Sequence, residues 1–217
     1  MAQQFAKIMF TDAIKNLQEM HGSRRQCERL AQSGAPNDRL GPSETEFIRA
    51  RDSFYIASAG ENGWPYIQHR GGPEGFLKVV DGQTLAFADF SGNKQYISAG
   101  NLSHNDKVTL FLMDYPHQSR LKILGHAEIL DAQANVALGH EVDLLGYKAK
   151  VERIFRIRIA AFDWNCPQHI TPRFTQEQFR NAVEPLQRQL RDLQAENERL
   201  RESLESAGNG NVISSQE

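Results

Sequence analysis

The chain has 217 residues, 40% of them hydrophobic, with 12 Phe, a formal net charge of -2 and a pI near 6.4. That is enough apolar material for one sizeable core plus an appendage, which excludes global disorder, and the balanced charge excludes a general attraction to nucleic acid or to an anionic membrane. Two scattered cysteines (Cys27 and Cys166), no apolar run near the ~18–20 residues of a membrane span and no signal-peptide pattern at the start predict a cytoplasmic protein without a disulfide framework.

Residues 1–50 are predicted to be helical. Phe10, Ile14 and Leu17 recur at helical spacing, with Thr11 or Asp12 as cap and Gly22 as stop. Ser23 is placed to cap a second helix through Leu30. Residues 32–42, rich in Gly, Pro, Ser and Asn, read as a loop. Ser43-Glu-Thr-Glu46 is a capping-box pattern and predicts a short helix through Ala50.

From Ser53 the period changes to two. Runs at 53–59, 64–70, 76–80, 84–88, 107–114, 120–130 and 154–162 are predicted strands. Asn62-Gly63 and Asp81-Gly82 are hairpin signals, and Tyr115-Pro116 marks a further turn. A helix is expected over 132–145. Short strands with one late helix favour a closed or nearly closed antiparallel barrel over 51–173.

The tail is different. Val183, Leu190, Asn197 and Leu204 fall at position a of a heptad, and Phe179, Leu186, Leu193 and Leu200 at d. A narrow seam broken by one Asn predicts a parallel two-stranded coiled coil over 175–206 rather than a helix packed on its own barrel. Glu196 at g and Arg201 at e have the spacing of an interhelical pair. Proline is tolerated near a helix start, so the continuous coil is expected to begin at Pro185. Residues 207–217 read as a disordered tail.

The stretch 64–120 carries the chemistry. Phe90-Ser91-Gly92-Asn93 reads as a turn after a strand, followed by a helix from about Lys94 through Ser98. A helix start favours an anion, Ser91 and Asn93 add donors, and Lys94 adds a charge, so this joint is a candidate phosphate cradle. Such joints are also ordinary capping chemistry. Gln68, His69 and Arg70 end a strand expected to be buried, and Arg120 opens another. Polar groups there need partners. Either a bound phosphate with a polar ring edge satisfies them, or they pair across the sheet with Asp89, Asp114 or Glu74.

The runs FYIASAGENGWPYIQHRGG, TLAFADFSGNKQYISAGNL, VTLFLMDYP and RLKILGHAEIL resemble the pyridoxamine 5'-phosphate oxidase-related FMN-binding family. More narrowly they are similar to a bacterial branch ending in DWNCPQHI, here residues 163–170. The resemblance covers about residues 43–173. It implies an α+β chain, mainly β: a six-stranded antiparallel split β-barrel forming a twofold homodimer with two FMN molecules at its interface. Asn93 and Lys94, with Gln95 beside them, match the family's phosphate grip. Phe87 and Ala88 match the strand end whose backbone meets the flavin ring. Lys78 best matches a basic residue on the earlier strand, with Gln68, His69 and Arg70 as neighbours; Arg120 matches a polar residue heading a later strand, and Trp164 one that flanks the flavin. The oxidases proper carry Arg-Lys where this chain has Asn93-Lys94, and their C-terminal Arg and His substrate residues have no clear counterpart. FMN binding is therefore expected, but not pyridoxamine phosphate oxidation. The expected function is an FMN-dependent oxidoreductase acting on a small organic substrate, with a nicotinamide cofactor as reductant. The alternative is a non-catalytic flavin carrier or sensor. Cys166 and His169 could touch substrate or flavin, or belong to an inert turn. No metal site is expected.

Overall fold

The computed structural model describes residues 3–33, 36–90, 94–143, 151–164 and 168–210, with side chains through 205. The chain divides into two units, Met1–Thr171 and Pro172–Glu217. The first contains α1 (Gln4–Met9), α2 (Asp12–Met20), α3 (Arg24–Gln32), α4 (Pro42–Arg49), β1 (Ser53–Ala59), β2 (Pro65–Gly71), β3 (Lys78–Asp81), β4 (Thr84–Phe90), α5 (Ile97–His104), β5 (Lys107–Asp114), β6 (Ser119–Asp131), α6 (Val136–Val142) and β7 (Val151–Trp164). The second contains α7 (Gln176–Gly210).

All seven alternating runs become strands. They form one antiparallel sheet in the order β2-β1-β5-β6-β7-β4-β3. Among the described residues the sheet has seven strands, not the six that the resemblance implies, with the short β3 paired to β4 across the Asp81-Gly82 turn. Asp81 Oδ1 holds that turn by accepting the Gln83 N–H at 2.6 Å.

The sheet curls. Three strands separate β1 from β4 in the ladder, roughly 19 Å if the sheet were flat. Yet the rings of Phe54 on β1 and Phe87 on β4 meet edge to face with centroids 5.2 Å apart, and Phe54 stacks on Phe76 at 5.5 Å. The enclosed core also holds Ile56, Leu85, Leu110 and Ile123.

β7 changes face part-way. Leu124 pairs with Ala161 but Gly125 pairs with Ile159, leaving Ala160 as an extra residue. One extra residue reverses the alternation. Phe155, Ile157 and Ile159 point into the core before it, and Phe162 and Trp164 pack on the same core after it. Gly125 sits at this bulge. A Cβ there would lie 2.7 Å from Ile157 Cγ2 and 2.9 Å from the Arg158 carbonyl oxygen, so glycine lets the two strands close.

α4 starts two residues earlier than the expected capping box. Pro42 has the fixed φ that suits a first helical residue, and Glu44 Oε2 accepts the Gly41 N–H at 2.9 Å. Glu44 Oε1 accepts the Trp164 indole N–H at 2.8 Å, and Phe47 meets that indole edge-on at 4.8 Å. α4 is thereby latched to the end of β7. Asn37 adds a second tie, its side-chain amide donating to the Phe162 carbonyl and its carbonyl accepting the Phe162 N–H. α6 is shorter than the helix expected over 132–145.

Just past α4, Arg51 donates to the Met113 carbonyl at 3.0 Å and to Asp114 Oδ2 at 2.8 Å. Burial pushes the Asp114 carboxyl up, but hydrogen bonds from the His117 side chain and backbone, with the Arg51 charge, outweigh it and hold the group below its ordinary 3.8. A carboxyl depressed in the folded state stabilises above its unfolded pKa, and loses that contribution as pH falls through the folded value. We expect the wild type to lose more melting temperature than Asp114→Asn between about pH 5 and 2. Equal losses in a pH series of thermal melts would remove Asp114 from the acid limb.

Helix α7 also departs from expectation. It begins at Gln176, one residue past the expected boundary at 175, and passes through Pro185, where the continuous coil was expected to begin. The reason is a reciprocal cap: the Gln178 N–H donates to Thr175 Oγ1 at 3.1 Å, and the Thr175 N–H to Gln178 Oε1 at 2.9 Å. The helix runs to Gly210, beyond the expected end at Ser206; the remainder of the tail, 211–217, lies outside the described residues. No described helix is long and apolar enough to cross a membrane.

Candidate functional site

The site is built where charges occupy core-facing positions. On β4, Leu85 and Phe87 point inward, and Asp89 follows at the same parity. On β7, Arg153 shares its parity with Phe155 and is the ladder partner of Asp89. On β2, alternation separates the polar trio: Tyr66, Gln68 and Arg70 are half-buried, whereas His69 lies on the other face against Tyr55, ring centroids 5.5 Å apart.

The curl then brings β2 over β4. Arg70 Nη1 donates to Asp89 Oδ1 at 2.6 Å, and Arg153 donates to Oδ2 from Nε at 3.1 Å and Nη2 at 2.7 Å. Asp89 is only 4% exposed. The Arg70 guanidinium lies over the rings of Phe155 (5.0 Å) and Phe87 (5.5 Å). Its Nε is buried with no hydrogen-bond partner among the described residues. Arg153 lies 4.7 Å over the Tyr96 ring and 3.6 Å from Glu152. Ser98, buried, donates to Gln68 Oε1 at 2.7 Å.

These groups surround a cleft of about 240 Å³, with Lys94, Gln95 and Tyr96 on its rim. Its described lining carries three cations (Arg70, Arg153, Lys94) against two carboxylates (Asp89, Glu152), so its field favours an anion. The expected helix start at Lys94 is corrected: α5 begins at Ile97. Lys94 and Tyr96 have φ of 56° and 53°, a left-handed backbone that no helix accommodates. Non-glycine residues are held there only when their surroundings over-determine them, which happens often at binding sites.

Of the residues singled out from sequence, Gln68, Arg70, Lys94 and Gln95 meet in this cleft. Phe87 does not line it but backs Phe155, which does, the two rings stacked at 4.9 Å. Ala88 faces the other way, packing with Ala86, Val142 and Ile154. Lys78 pairs with Ala86 and does not line the cleft. Arg120 pairs with Met113 and lies over Phe111 at 5.6 Å, also outside it. Trp164 is occupied with Glu44. His169 is exposed in a turn with φ 64°. Asn93, Ser91, Gly92 and Cys166 lie outside the described residues. Arg153, Tyr66, Tyr96, Ser98 and Glu152 were not anticipated. Arg153 left a signal: an arginine at the parity of Phe155 and Ile157 must find a partner inside the fold.

Comparison with known proteins bears on this unit. The family model described as pyridoxamine 5'-phosphate oxidase matches residues 41–161, more than half of the chain. Similar solved structures include a putative pyridoxamine 5'-phosphate oxidase from Lactobacillus delbrueckii (19% identity, 58% of this chain and 94% of that one, TM-score 0.45). They also include HupZ of Group A Streptococcus (15%, 62% and 99%, 0.44) and a FAD-binding protein from Mesorhizobium loti (16%, 58% and 94%, 0.43). No curated protein matches.

Proposed function

The chain belongs to the pyridoxamine 5'-phosphate oxidase family, and on that premise we propose that it is an FMN-binding flavoprotein working as a homodimeric oxidoreductase. The observation that carries this reading is the cleft whose floor is the Arg70–Asp89–Arg153 cluster. Its excess positive charge and the buried Arg70 Nε suit a phosphate monoester. Lys94 and Gln95 meet the anion at the rim, while Asp89 holds both guanidiniums in place. β3 begins at Lys78, opposite Ala86, so among the described residues no strand lies beside that edge of β4 from Phe87 onward. That edge offers main-chain groups to the rim of a flat heterocycle. The bound flavin would supply hydride or electron transfer; the chain supplies binding, orientation and electrostatics. A small organic substrate and a nicotinamide reductant complete the reading. His69, Lys78, Arg120 and Trp164 are left out of this cleft.

The test is a titration of purified protein with FMN, followed at the flavin absorbance bands. Lys94→Ala is expected to weaken binding about tenfold, the loss of one charge-assisted contact, with an unchanged thermal melt because Lys94 is exposed. An unchanged affinity removes Lys94 from the phosphate role. A colourless protein that ignores FMN overturns the whole reading. Tight flavin without NADH- or NADPH-driven turnover would instead make the protein a carrier.

A further inference from the structure

The second unit carries a seam that the flavin reading does not use. In α7 the large apolar side chains of Phe179, Leu186, Leu190, Leu193, Leu200 and Leu204 are exposed, from 54% at Leu193 to 72% at Leu204. They fall on one heptad stripe. Leaving so much contiguous apolar surface in water is costly, and such stripes mark binding surfaces.

We propose that α7 pairs with α7 of a second copy of this chain as a parallel, in-register two-stranded coiled coil. Three features select a second copy. Asn197 sits at position a, where a foreign apolar helix would leave its amide without a partner. An amide both donates and accepts, so an identical Asn at the same level satisfies it. Parallel in-register pairing provides that level. Next, Glu196 at g and Arg201 at e′ of the partner lie opposite each other in a parallel pair, twice by symmetry. An antiparallel pair would instead set e against e, where this helix has Arg180, Gln187, Gln194 and Arg201, and g against g, where Glu196 is the only charge. Antiparallel pairing therefore yields no opposite-charge contact. Finally, Pro185 falls at c, an outward position, so its ring does not meet the partner. The inference stands apart from the flavin proposal.

The experiment uses the full chain with Cys27→Ser and Cys166→Ser, so that an introduced thiol is the only one. Leu204→Cys, at a near the helix end, is expected to oxidise to a covalent dimer on a non-reducing gel. Glu202→Cys, at the outward f position, is expected to remain uncross-linked. In an antiparallel pair residue 204 would face the beginning of the partner helix, so a chain in which Leu204→Cys stays unlinked overturns the proposal, as does equal cross-linking of both variants. Charge exchange gives a second reading. Glu196→Arg sets like charges together and is expected to weaken self-association of the helix about tenfold. Adding Arg201→Glu is expected to restore it. Within one helix these residues are five apart and do not face each other, so failure of the double variant to recover also overturns the proposal. FMN titration of the same variants keeps a failed coil distinct from a failed flavin site.

Discussion

Asp89→Ala is expected to destabilise the first unit by about 3 kcal/mol, the scale for removing one partner from a buried ion cluster. The carboxylate accepts three hydrogen bonds, one from Arg70 and two from Arg153. Its removal strips Arg70 of its carboxylate partner and leaves Arg153 only the longer contact to Glu152 at 3.6 Å. Arg70 cannot easily turn away, because its guanidinium is seated over Phe87 and Phe155. The cleft gains positive charge but loses the anchor that orients it, so FMN affinity should fall as well. Urea unfolding of Asp89→Ala and of Asp89→Ala combined with Arg153→Met separates the two effects. The second change removes one of the stranded cations and should recover part of the stability, though not the flavin affinity. A single variant as stable as wild type would mean that the cluster contributes nothing to the fold.

Phe54→Ala should cost about 4 kcal/mol, the usual price of a buried phenylalanine cavity. Phe54 is 1% exposed and touches Phe76 and Phe87, which belong to the far side of the curl. Its removal opens a void where the two halves of the sheet meet. Tyr55, the next residue, is 41% exposed on the outer face; Tyr55→Ala should cost under about 1 kcal/mol. Chemical denaturation of the pair checks the parity directly. Similar losses for both would show that β1 does not present one face to the core. The Asp89 cluster stands close to this contact, so the double variant of Phe54 and Asp89 should deviate from additivity.

The strands were legible because alternation is a local property. SFYIASA, KVTLFLMD and RLKILGHAEIL announce their faces without knowledge of their partners, and Asp81-Gly82 announces its hairpin. The heptad of α7 is equally local. The boundary at 175 was legible as well, but Pro185 suggested a later start for the continuous coil, and the helix runs through it. The cradle was legible in part. Lys94 and Gln95 stand at the rim, but the helix behind them begins three residues later. Non-glycine residues in left-handed conformation, such as Lys94 and Tyr96, leave no signature in sequence. Arg153 is 64 positions from Asp89, and only the ladder shows that they are partners. The parity of each charge could be read; which charges meet depends on how far the sheet curls. Trp164 illustrates a different limit. Its side would be misassigned by counting in twos along β7, because Ala160 interrupts the count.

That interruption constrains how the gene can drift. Between Ile159 and Phe162 side chains can be exchanged for others of similar size, but a single-codon insertion or deletion there would turn Phe162 and Trp164 to the outside and strand Glu44 without its indole. Relatives that keep this latch should therefore align across the segment without gaps, even where almost every letter differs.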